Sequence, residues 1–167
     1  MSRCILPLFV LWLGVVTLAG CAPTDELDPH RVKYVLKSEP PDPKTPTEVK
    51  ELVTEPTSLA IAGRIDAGDI EPFQDGIATF VLSQLPDSAH AGGDPTHADN
   101  CPFCKRKLKN APKAVVQFVD SSGDVLPIDA RKLFGLSKGD VVVVQGTAKY
   151  LESVNTVQIN ADGLFIR

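Results

Sequence analysis

Residues 138–150 read KGDVVVVQGTAKY, and the β-rich run continues to Leu151. Branched valines lose rotamer freedom in a helix and pack well on a pleated surface, so 140–151 reads as a strand entered from a Gly-Asp turn. Downstream, TVQINADGLFIR (156–167) closes the chain as a second strand. Upstream, ARKLFGLSKG (130–139) sets Leu133, Phe134 and Leu136 at helical spacing and holds glycines able to end the helix. Before it stand AVVQFVD (114–120), the turn SSGD and VLPID (125–129), and earlier still SLAIAGRI (58–65) and ATFVLSQL (78–85). Short strands at regular spacing with turn residues between them predict an all-β sandwich or small barrel with one short helix. Residues 58–167 have the length of a single small domain.

The order of these pieces resembles an OB-fold, a small β-barrel. IAGRI stands in the first strand and FVLSQL in the second, a short helix precedes KGDVVVVQGTAKY, and VQINADGLFI comes last. The resemblance implies that Gly139-Asp140 and Gly146 serve a sharply bent fourth strand that closes the barrel. It covers 58–167 apart from an insertion at about 86–112. Many OB-folds bind single-stranded nucleic acid by stacking bases on aromatics in a basic groove. Here the domain has 11 basic and 13 acidic residues, a formal −2, and few aromatics. Phe80, Phe118 and Phe165 fall in strand patterns where core packing is the default. Nucleic acid is therefore disfavoured as a partner, and fold alone does not set function.

The chain opens MSRCILPLFVLWLGVVTLAGCAPTDE. One arginine, an apolar run over 5–19 and a small-residue site make a signal-peptide layout, too short in its apolar core for a comfortable membrane span. Leu18-Ala19-Gly20-Cys21 resembles the lipobox of bacterial lipoproteins. That resemblance implies a cleaved signal at 1–20, diacylglycerol on the Cys21 thiol, and a membrane partner through the lipid. Ala22 follows the cysteine where Asp would favour inner-membrane retention, which implies the periplasmic face of the outer membrane.

Residues 22–57 hold seven of the 14 prolines, no glycine, and five basic against eight acidic residues. Such composition buries too little apolar surface to offset chain entropy. The expectation for 21–57 is a disordered lipid-anchored tether, with a helical turn at EVKELVT (48–54).

With Cys4 in the signal and Cys21 lipidated, two of the four cysteines remain, Cys101 and Cys104. Both lie in the insertion PDSAHAGGDPTHADNCPFCKRKLKNAP, which is longer than an ordinary connection and looks like neither a strand nor a tight turn. His90 and His97 give the spacing H-x6-H-x3-C-x2-C. Two thiolates on one turn and two imidazoles on an upstream arm suit a tetrahedral S₂N₂ site for Zn²⁺ and, less often, copper. Asp94 and Asp99 are alternative ligands or partners for the imidazoles, and the basic run after Cys104 favours thiolates. A thiol–disulfide pair and an inert loop staple are the competing readings; the βαβ context of thioredoxin-type enzymes is missing. His30 has no role beyond solvation in this reading. No catalytic constellation stands out, so an enzyme is not the first expectation. That expectation is a lipid-anchored periplasmic binding protein with a structural or sensory metal clasp. The alternatives are a thiol–disulfide or metal-dependent redox component, and a barrel face that grips a protein, oligosaccharide or nucleic acid.

Overall fold

A computed structural model describes residues 29–167. The signal segment, the LAGC box and Cys21 lie outside the described residues. Five strands carry the fold: β1 (Thr57–Ile65), β2 (Thr79–Ser83), β3 (Lys113–Phe118), β4 (Val141–Leu151) and β5 (Thr156–Ile166). Hydrogen bonding runs β1-β2-β3-β5-β4 and returns to β1, a closed barrel. All neighbours are antiparallel except β3 and β5, which are parallel. Burial alternates along β3, and the inward set from all strands (Ile61, Phe80, Leu82, Phe118, Ile159, Leu164 among it) forms the core.

The β4–β5 register shifts at Gln145/Gly146, where Asp162 on β5 is left unpaired. This β-bulge falls at the glycine where the strand was expected to bend. A Cβ on Gly146 would run into the Asn160 carbonyl and stand 2.8 Å from Ala161 Cα, so only glycine fits the close approach. Helix α6 (Ala130–Phe134) plugs the barrel with Leu133 and Phe134, the Phe134 ring 4.6 Å from that of Phe118. Its N-cap Asp129 accepts from the Arg131 backbone and side chain, and Gly135 ends it in the left-handed region.

Three expectations need correction. VLPID forms no strand: only Val125 makes an isolated bridge, to Val119, and Pro127 has no amide proton to continue a ladder. Phe165 is half-buried on the outer face, against Ala60, Ala62 and Val143 rather than in the main core. The largest correction concerns the tether. From Pro29 onward the segment is packed on the barrel as α1 (Pro29–Tyr34) and α2 (Pro46–Leu52).

The physical reason lies in three apolar side chains that the proline-rich average conceals. Tyr34, Val49 and Val53 enter the core at 2%, 0% and 7% exposure. Tyr34 meets Phe118 edge-on at 5.2 Å and donates its hydroxyl to the Val119 carbonyl at 2.8 Å. Thr45 and Glu48 make a capping box at the start of α2, with Pro46 just inside. Backbone bonds from Leu36 to Leu164, from Lys44 to Ala60 and from Ala62 to Lys44 tie down the chain between the helices. The expected boundary at residue 58 therefore cuts through one packed unit.

Candidate metal centre

The insertion leaves the barrel after β2 and returns at β3. Rather than a structureless loop it is three short helices, α3 (Ser88–Ala91), α4 (His97–Asn100) and α5 (Pro102–Asn110). Each start is set by local chemistry. Asp87 accepts from the Ala89 amide at 2.9 Å to cap α3, and Pro102 opens α5. Gly92 and Gly93 follow α3 with φ of +61° and +86°, which only glycine adopts readily. This reversal carries His90 back over α4. Asp94 then accepts from the Thr96 amide and hydroxyl, at 2.8 and 2.7 Å, and fixes the approach to His97.

The result is a convergence of His90, His97, Cys101 and Cys104, whose ligand atoms all lie within 4.8 Å of one another. Cys101 Sγ is 3.9 Å from His90 Nε2, and the two imidazoles meet edge-on at 5.0 Å. His97 Nε2 is buried and has no hydrogen-bond partner. An orphaned buried imidazole nitrogen is costly unless something binds it. A tetrahedral zinc shell with bonds of about 2.0–2.3 Å sets its donors roughly 3.4–3.8 Å apart, so the widest pair needs to close by roughly 1.0–1.4 Å. The two cysteines are free thiols. The four side chains fit a metal ion.

Electrostatics separate the two sulfurs. The Cys104 amide donates to Cys101 Sγ at 3.4 Å, and this bond, with His90 next in effect, pulls the Cys101 thiol down to about 6. The Cys104 thiol is pushed up, chiefly by its hydrogen bond with Cys101 and then by burial. One thiolate is thus ready near neutral pH, and the second proton leaves when a cation replaces it.

All four expected ligands come together, His90 included, although its place depended on how the glycines close. Asp94 and Asp99 do not join them. Asp94 is spent on Thr96, and Asp99 accepts from Arg64 Nη1 on β1 at 3.0 and 3.1 Å, tying the insertion to the barrel wall. The role of Arg64 was not anticipated: in sequence it is one cation in an otherwise apolar strand, and its partner lies 35 positions away. Set against known proteins, the chain matches no family model, no curated protein and no solved structure.

Proposed function

We propose that the chain is a lipid-anchored protein of the bacterial envelope, whose OB-like barrel presents an insertion folded around one zinc ion. The observation that carries this reading is the convergence of four donors from one short segment. Two thiolates and two imidazoles are the donor set zinc prefers, and copper is the second choice. Four protein donors fill a tetrahedral shell, whereas catalytic zinc keeps a position for water or substrate. The zinc is therefore structural or sensory. The five-stranded ring with a helix between β3 and β4 supports the OB-like reading of the barrel. The lipobox at Leu18–Cys21 and Ala22 after it support attachment at the periplasmic face of the outer membrane.

The test is zinc content and thiol count on freshly isolated, untagged protein kept from chelators. One zinc per chain with both thiols protected is expected. A complete Cys101–Cys104 disulfide that takes up no zinc after mild reduction sinks the clasp. Anchoring is tested separately: Cys21→Ser should abolish labelling by a radioactive fatty acid, and unchanged labelling contradicts the lipobox.

A second reading, a thiol–disulfide component, draws on the asymmetry of the pair. A thiol near 6 at the start of α5 beside a partner held protonated is the arrangement of an attacking and a resolving cysteine. The same thiol count separates the two, because that reading requires a cycling disulfide and no zinc.

A further inference from the structure

A cleft of about 480 Å³ lies where the insertion faces the barrel, and none of the four candidate metal donors lines it. Its insertion wall brings Lys105 and Lys109 from α5. Its barrel wall brings Arg64 from β1, Lys113 from the start of β3, and Lys138 from the turn before β4. Three carboxylates also line it, Asp66, Asp69 and Asp99.

Two of the acids are spent on two of the bases. Asp99 holds Arg64 by Nη1, and Asp66 stands 3.6 Å from Lys138 Nζ, which also donates to the Gly68 carbonyl. The side chains of Lys105, Lys109 and Lys113 make no hydrogen bond or salt bridge among the described residues. Arg64 Nε is buried with no acceptor. Lys113 is half-buried, and burial pulls its ammonium below the ordinary lysine value with only a small opposing pull from Asp66. A partly desolvated ammonium with no hydrogen-bonded acceptor, on a cleft that gathers five basic side chains against three acidic ones, is a costly feature in a chain whose net charge is −4.

We infer that this cleft is a binding site for a small phosphate-bearing molecule. A phosphate monoester carries close to two negative charges at neutral pH and three terminal acceptor oxygens, enough to pair with the Lys113 ammonium and the lysines of α5. A single carboxylate would leave more of these cations unmatched. The cleft is within the roughly 300–1,000 Å³ range of small-molecule sites, so a glycerol- or sugar-sized body fits beside the phosphate. The site is independent of the clasp's donors and needs the insertion only as its outer wall.

The probe is glycerol 3-phosphate, a monoester that chelates zinc weakly, titrated calorimetrically into the full chain at fixed ionic strength. Saturable one-site binding is expected. Lys113→Gln should weaken it by roughly tenfold, the worth of one charge-assisted contact. Lys109→Gln should weaken it by a smaller factor, and Lys149→Gln, on exposed β4 surface away from the cleft, should leave it unchanged. If Lys113→Gln loses its cooperative melt, Lys109→Gln against Lys149→Gln decides the matter. No saturable binding overturns the inference, as does equal weakening by all three substitutions, which would mean non-specific attraction.

Discussion

The barrel and its insertion are built on opposite principles, although one chain runs through both. The barrel completely buries strand and helix side chains as large as Phe80, Phe118, Phe134, Ile61, Ile65 and Leu82. Each such side chain contributes about 1.5–3 kcal/mol by leaving water. Between residues 86 and 111 only Ala98 is buried. Three helices of four, four and nine residues are too short to persist on propensity alone. What remains to hold them is the convergence of His90, His97, Cys101 and Cys104, with the exposed Arg64–Asp99 pair adding about 1 kcal/mol or less. One region is held by burial; the other has little burial and four convergent donors. The difference teaches that a segment without a core of its own is informative through its donors rather than its hydrophobicity.

The sharpest way to break the comparison from the barrel side is Gly146→Ala. A methyl group there collides with backbone of β5 that cannot retreat. The expected loss in a chemical denaturation curve is about 3 kcal/mol or more, as for severe overpacking. A loss below about 0.5 kcal/mol would mean that the bulge relaxes freely.

Next in size is Val49→Ala. Val49 lies in the segment that composition assigns to a tether, yet it is fully buried in the core. Deleting two buried methyl groups should cost about 2 kcal/mol. A neutral result would return residues 29–57 to the role of spacer.

Cys101→Ser sharpens the contrast from the other side. Zinc binding should be lost, while the main denaturation midpoint of the barrel shifts by less than about 0.5 kcal/mol. An unfolded barrel would show that the two regions share one cooperative unit.

The smallest effect is a matter of pH. In metal-free protein the folded-state thiol of Cys101 is depressed to about 6, so its thiolate is present above that pH and is lost as pH falls through it. Alkylation at Cys101 should be half-maximal near pH 6, with Cys104 reacting only at more alkaline pH. Zinc affinity should fall in the same acid window, as the ligands take up protons. Equal reactivity of both cysteines would contradict the hydrogen bonding described at the start of α5.

Much of this was legible in the sequence, for reasons that differ by region. The strands showed because valine-rich runs and turn residues alternate on the period that a half-buried sheet imposes, and Gly146 was marked only by the resemblance to an OB-fold. VLPID has the apolar content of a strand, but Pro127 lacks the amide proton that a ladder needs. The docking of α1 and α2 was hidden because seven prolines dominate the average over 22–57, while the packing rests on a few side chains, Tyr34, Val49 and Val53 foremost. The four candidate donors were readable from residue type and spacing. Their convergence was not, since it depends on the left-handed turn at Gly92 and Gly93. The basic cleft was invisible, because Arg64, Lys113 and Lys138 come from three separate strands or turns and meet α5 only in the folded chain.

Hydrogen exchange on the folded chain with and without one equivalent of zinc tests the contrast most directly. Zinc should slow exchange at the amides of α4 and α5, including the Cys104 amide that bonds Cys101 Sγ, and leave β1, β3, β4 and β5 unchanged. Protection of the insertion that is equal with and without zinc, or a zinc effect spread evenly over the barrel strands, would contradict the account.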